Sequence, residues 1–172
     1  MVEQLKEKIR DVPNFPKDGI IFKDITTLLK DAYAFKRAID LLYEKVKDMD
    51  ITKVLAVEAR GFIIASPLAY LLNAGLVIAR KPGKLPYKTV SATYELEYGT
   101  DSLEIHIDAI AKGDKVLISD DLLATGGTAK AMVDLVKKQK AKPVGCLFLV
   151  ELDFLQGRKK LKGVPVISII HY

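Results

Sequence analysis

The chain reads as an α/β fold, a mainly parallel sheet with helices on both faces. Three observations predict it. Apolar runs of strand length recur at 53–57, 76–79, 115–119, 144–150 and 164–170. Segments of helical periodicity stand between several of them, the pattern that returns successive strands to one sheet by crossover. The chain has 172 residues, 49% hydrophobic and 28% charged, which suits one globular domain with a sizeable core.

Taken in order, residues 5–9 read as a short helix that Pro13 and Pro16 end. The clearest amphipathic helix is 33–47, where Phe35, Ala38, Ile39, Leu42 and Val46 recur on one face. A buried-type strand at 53–57 leads into a helix over 61–72, with Pro67 as a kink or a later start. After the strand at 76–79 the rhythm breaks. Pro82, Gly83, Pro86 and Gly99 punctuate 80–102, which reads as a long flexible loop able to close into a hairpin with 103–107. A strand at 115–119, a helix at 129–138 and strands at 144–150 and 164–170 complete the set, with no repeat and no linker.

Several classes of function are disfavoured. No apolar run approaches the ~20 residues of a membrane span, and the first seven residues lack the apolar core of a secretory signal, so a cytoplasmic location is expected. Cys146 is the single cysteine, set in an apolar run as a core residue, and two histidines give no evident metal-ligand cluster. The net charge of +5 is mild and fits a polyanionic small substrate. Lys137-Lys138-Gln139-Lys140 and Arg158-Lys159-Lys160 look like solvated surfaces, so neither nucleic acid nor membrane is expected as a partner.

The most informative stretch is Val116-Leu117-Ile118-Ser119-Asp120-Asp121-Leu122-Leu123-Ala124-Thr125-Gly126-Gly127-Thr128. It reads as strand, acidic edge, anion cradle, helix start. Small residues at 124–128 allow backbone N–H groups to approach an anion, and the helix start adds unpaired donors and the positive end of its dipole. Asp120 and Asp121 would repel a phosphate lying against them. One ligand with separated groups, a sugar phosphate, meets both demands, because carboxylates accept hydrogen bonds from a ribose diol. They also stabilise positive charge developing at the sugar. A lone Gly-Gly or Asp-Asp would be only a polar turn; the order of the whole string carries the reading. A second turn, Val57-Glu58-Ala59-Arg60-Gly61-Phe62, sets a guanidinium beside a helix start and suits forked contacts to phosphate oxygens.

The thirteen-residue string resembles the phosphoribosyl-pyrophosphate (PRPP) signature of the type I phosphoribosyltransferase family, and the Arg60 turn resembles that family's pyrophosphate loop. Phe15-Pro16-Lys17-Asp18-Gly19-Ile20-Ile21-Phe22-Lys23-Asp24-Ile25-Thr26 looks like the purine-binding segment of its adenine-specific members. Leu96-Glu97-Tyr98-Gly99 resembles their catalytic loop, Arg80-Lys81-Pro82-Gly83-Lys84-Leu85-Pro86 its basic lead-in, and Glu151 with Gly157-Arg158 also matches. Ser119 departs from the aliphatic residue expected before the Asp pair, and Glu58-Ala59 stands where several members have Asp-Ser.

The resemblance implies the type I phosphoribosyltransferase fold in a single domain over 1–172, with 1–30 as purine-binding segment and 80–102 as flexible catalytic loop. It implies transfer of a 5-phosphoribosyl group from PRPP to adenine, giving AMP and pyrophosphate. Ala124, Thr125, Gly126, Gly127 and Thr128 would wrap the 5′-phosphate, and Asp120 and Asp121 would hold the ribose hydroxyls. Arg60 and Lys84, with Arg80 or Lys81 helping, would bind pyrophosphate. Phe22 would stack on the purine, with backbone groups of Ile21 and Lys23 reading its edge. Glu97 would handle the adenine proton and Tyr98 would seat the closed loop. Mg²⁺ would be held by PRPP and water, with no direct protein ligand, and a homodimer is implied. A cis peptide in the Glu58-Ala59-Arg60 turn is also in keeping with the family. The PRPP loops alone leave open another purine base, or a non-catalytic regulator sensing PRPP.

Overall fold

The computed structural model describes residues 2–95 and 99–172. The short helix α1 (Val2–Lys6) leads into a hairpin of β1 (Arg10–Pro13) and β2 (Ile21–Asp24), followed by α2 (Thr26–Leu29) and α3 (Ala32–Val46). Then come β3 (Lys53–Val57), α4 (Arg60–Leu71), β4 (Gly75–Ala79), and a second hairpin of β5 (Thr89–Glu95) and β6 (Thr100–His106). The chain closes with β7 (Lys115–Leu123), α5 (Gly127–Lys138), β8 (Lys142–Glu151), two 3-10 turns (Asp153–Leu155, Gly157–Leu161) and β9 (Val166–His171).

Five of these strands form one parallel sheet in the order β4-β3-β7-β8-β9. Its inner strands are buried on both faces, which is why β3 and β8 read as continuous apolar runs without alternation. Helices α3 and α4 pack on one face, over Leu117, Leu147 and Leu149 and over Val54 and Ala56. On the other face α5 and the β5–β6 hairpin bury Ala92, Leu103, Ile105, Met132 and Leu135 against Ile118 and Phe148.

Local chemistry explains the helices. Asp31 caps α3, its carboxylate accepting from the N–H groups of Tyr33 and Ala34, both at 3.1 Å. The buried face of α3 is Ala34, Ala38, Ile39, Leu42 and Val46; full burial of a side chain such as Leu42 contributes about 1.5–3 kcal/mol. Helix α4 runs unbroken through Pro67. The proline leaves the carbonyl of Ile63 without its usual donor, and Ile63 is exposed, where water can serve.

Two features differ from expectation. The N-terminal hairpin is unforeseen, because its strands have four residues each and show no apolar alternation. Within 80–102, residues 89–95 are strand and pair with 100–106 rather than with 103–107 alone. The N-terminal segment is stitched to the end of the chain: Lys6 Nζ of α1 donates to the His171 carbonyl at 2.6 Å, and the Lys23 ammonium of β2 lies 3.9 Å over the Tyr172 ring. No described helix is long and apolar enough to cross a membrane.

Candidate active site

The carboxyl ends of β3 and β7 open into a cavity of about 470 Å³, bordered by Glu58, Arg60, Gly61, Lys81, Tyr94, Asp120, Asp121 and Thr128. This is the place where parallel α/β sheets hold ligands, beyond the strand ends. Strand β7 runs on through both aspartates to Leu123, so the acidic edge is strand rather than loop. Asp121 is 4% exposed, while Asp120 keeps some access to the cavity and accepts the Asp121 N–H at 2.9 Å. Burial and the adjacent Asp121 carboxylate push Asp120 well above the usual carboxylate range. Burial raises Asp121 as well, against the pull of Arg60. Arg60 Nε lies 3.0 Å from Asp121 Oδ2, an ion contact without hydrogen-bond alignment, which leaves that buried oxygen without a donor.

Gly61 permits this arrangement. A Cβ there would lie 2.7 Å from Asp120 Oδ1, so any side chain at 61 would push the Asp120 carboxylate from its place.

The phosphate-type loop follows directly. Gly126 at the N-terminal cap of α5 has φ 81°, a left-handed conformation natural to glycine. A compact recess of about 80 Å³ is lined by residues 122–129 with Asp120 and Phe148. The first N–H groups of a helix have no intrahelical acceptor, so this recess offers donors to an anion. Thr128 faces the large cavity and the recess alike.

A separate, mostly apolar cavity of about 370 Å³ is bounded by Val12, Phe15, Phe22, Asp24, Thr26 and Arg60. Phe15 and Phe22 meet edge to face, with centroids 5.1 Å apart. The Arg60 guanidinium lies 4.9 Å over the Phe22 ring. Arg60, read from sequence as a pyrophosphate ligand, therefore stands between Phe22 and Asp121 and borders both cavities. The side chains of Ile21 and Lys23 do not border the apolar one; Lys23 pairs with Asp11 at 2.7 Å.

The basic lead-in is held by acids. Glu58 takes Arg80 through Nε and Nη2 at 3.1 and 3.0 Å, the Lys81 N–H at 2.8 Å and Lys84 Nζ at 3.4 Å. The Lys81 N–H, outweighing burial together with these cations, holds Glu58 below its usual range. Lys84 thus lies beside the cavity without bordering it, whereas Lys81, paired with Asp101, borders it. The Glu58–Ala59 peptide is cis. Glu97 and Tyr98 lie outside the described residues.

Val12, Tyr94 and Phe148 carry no sequence signal of their own for these roles, and the fold brings them to the cavities, whereas Thr26 ends the purine-type segment read from the sequence. A cluster unforeseen in the sequence joins Glu151, Asp153 and His171, whose ligand-type atoms lie within 4.8 Å. Arg158 and Ser168 engage Glu151, and Asp153 engages His171 Nδ1 at 2.9 Å, so this is an internal network. Burial pushes the Cys146 thiol up to about 12, as suits an inert core residue.

Residues 24–169 match the family model described as a phosphoribosyl transferase domain. The adenine phosphoribosyltransferase of Geobacter metallireducens is 59% identical over 171 residues, covering 99% of this chain and 100% of that protein. The crystal structure of adenine phosphoribosyltransferase from Thermoanaerobacter pseudethanolicus superimposes with a TM-score of 0.98 at 52% identity, covering all of both chains. That of the Saccharomyces cerevisiae enzyme, complexed with an imino-altritol bisphosphate and adenine, gives 0.91 at 40% identity, covering 98% of this chain and 97% of the other.

Proposed function

The chain belongs to the phosphoribosyl transferase domain family, and from that premise we propose that it transfers the 5-phosphoribosyl group of PRPP to adenine, giving AMP and pyrophosphate in purine salvage. Its fold is the type I phosphoribosyltransferase fold. The observation that carries the reading is the position of Arg60 on the border of both cavities. A flat base against Phe22 and a sugar phosphate over Asp120 would meet beside that guanidinium.

In this reading the N–H groups of 125–128 and the hydroxyls of Thr125 and Thr128 hold the 5′-phosphate, and Asp120 and Asp121 hold the ribose diol. Arg60 and the lead-in cations Lys81 and Lys84 take the pyrophosphate end, exchanging carboxylate partners for phosphate oxygens. Phe22 and Phe15 fix the adenine plane, with backbone groups of Ile21 and Lys23 at its edge. Adenine N9 bonds to C1 of the ribose with inversion as the C1–O bond to pyrophosphate breaks. The N9 proton is assigned to Glu97, with Tyr98 seating the loop. The transition state is oxocarbenium-like, so positioning and charge stabilisation carry the catalysis. The single domain divides in function into 1–30 as the purine-binding segment and 80–102 as the flexible catalytic loop.

Mg²⁺ fits this site. Asp120, which keeps access to the cavity, offers carboxylate oxygens suited to the water shell of a hard cation. When bound with PRPP it would neutralise the pyrophosphate charge. A homodimer and cytoplasmic residence belong to the same proposal. The dimer is supported by exposed apolar side chains on α4 (Ile63, Tyr70) and on the edge strand β4 (Leu76, Ile78).

The test is a base-competition assay with PRPP, Mg²⁺ and adenine, hypoxanthine, guanine or xanthine. AMP from adenine alone is expected. Another nucleotide would move the base specificity, and PRPP binding without product would make the chain a PRPP sensor.

A further inference from the structure

Gly126, in the phosphate loop, and Gly157, at the start of the second 3-10 turn, touch backbone to backbone across 31 positions of the sequence. A Cβ on Gly126 would lie 2.3 Å from the Gly157 carbonyl oxygen. A Cβ on Gly157 would lie 2.2 Å from the Ala124 carbonyl oxygen and 3.0 Å from the Gly126 nitrogen. All these neighbours are main-chain atoms and cannot swing aside as a side chain would.

The turn that carries Gly157 is itself anchored. Arg158 forks onto Glu151 at the end of β8, with Nε and Nη2 each donating at 2.6 Å. Glu151 is 2% exposed and also accepts from Ser168 of β9. The Leu152 N–H donates to the Leu123 carbonyl at 3.0 Å, fastening the same segment to the root of the loop.

We propose that Gly157, braced by the Glu151–Arg158 fork, is a positioning residue for the phosphate loop, setting the spacing of the N–H donors that grip the 5′-phosphate. The inference rests on the phosphoribosyl reading of that loop. It predicts a defect confined to the sugar-phosphate side, because the base cavity lies on β1, β2 and α4 and shares no residue with this contact.

The experiment compares the wild-type chain with Gly157→Ala and Arg158→Lys. Steady-state kinetics give the KM for each substrate, and calorimetric titration gives the Kd for ribose 5-phosphate. A Cβ forced against Ala124 and Gly126 displaces the loop by on the order of 1 Å, so Gly157→Ala should raise both the KM for PRPP and that Kd at least about tenfold. The KM for adenine should stay within about twofold. Arg158→Lys keeps the charge, loses the fork, and should shift the same two quantities in the same direction by less. An unchanged ribose 5-phosphate Kd in Gly157→Ala, or equal rises in both KM values, would overturn the inference. If Gly157→Ala does not fold, an unchanged Kd in Arg158→Lys overturns it. A wild-type chain that neither makes AMP nor binds ribose 5-phosphate would instead sink the phosphoribosyl reading.

Discussion

Asp120→Asn should stabilise the protein while crippling it, and the gain should depend on pH. Two adjacent carboxylates are held in a largely dry cleft, and Arg60 meets only Asp121. Two unit charges ~5 Å apart at an effective dielectric of ~20 repel by about 3 kcal/mol. Arg60 offsets part of this, but its side chain is 38% exposed, so solvent screens the attraction to about 1 kcal/mol. A net strain of about 1–2 kcal/mol remains for asparagine to relieve, or about 2–8 °C in Tm for a domain of this size. Folding raises the proton affinity of Asp120, so its neutral form favours the fold at low pH, and that contribution is lost as pH rises through the raised folded value. The Tm advantage of the variant should therefore be full above the raised folded value of Asp120 and shrink towards about pH 4, where aspartic acid is neutral in both states. Calorimetric scans of both proteins across that range measure it, and the difference cancels every other titrating group. A gain independent of pH, or a variant less stable than wild type above that raised value, would refute the reasoning. Loss of a charged acceptor to a ribose hydroxyl, about 1.5–3 kcal/mol, should lower kcat/KM for PRPP by about 10–150-fold.

Phe22→Ala removes the stacking platform of the apolar cavity; at about 1–3 kcal/mol per base it should raise the KM for adenine about 5–150-fold, and a competition assay should find the KM for PRPP little changed. Asp24 is held at about 2 by hydrogen bonds from Thr26 and then Arg10, so its carboxylate stabilises the fold above the ordinary aspartate value and ceases to as pH falls to about 2. Asp24→Asn should cost at most about 2 kcal/mol at pH 7 in urea titrations and almost nothing near pH 2. Chelation with EDTA should abolish turnover, restorable with Mg²⁺, while leaving the Tm of the unliganded chain unchanged, since no internal pairing depends on the ion.

The parts of the site legible in the sequence are those where one short string carries a complete chemical demand. Residues 120–128 combine acid, small residues and a helix start in nine consecutive positions, and the structure keeps them together at one strand end. Arg60 was legible as a cation at a helix start, but not as a bridge between Phe22 and Asp121, because that bridge joins three elements remote in sequence. The first hairpin escaped for a local reason. Its strands are four residues each, one ending in Pro13, and lack the apolar alternation that marks a strand. Gly157 matched the family pattern, yet its contact with Gly126 is set by the packing of a late turn on an earlier loop, which no window of sequence contains.

The stitching of the N-terminal segment to the end of the chain has a consequence for how the molecule is put together. Lys6 meets His171 across 165 positions and Tyr172 across 166. By (3/2)RT ln n, closing a loop that long costs about 4–5 kcal/mol of chain entropy, which the burial of Leu5, Ile9, Ile25 and Leu28 in one cluster with Ile169 and Ile170 offsets. The five-stranded sheet is joined through much shorter crossovers and is sealed by buried apolar packing. The two ends of the chain therefore close one another, and the segment that carries Phe22 is only as firmly placed as the last strand it packs with.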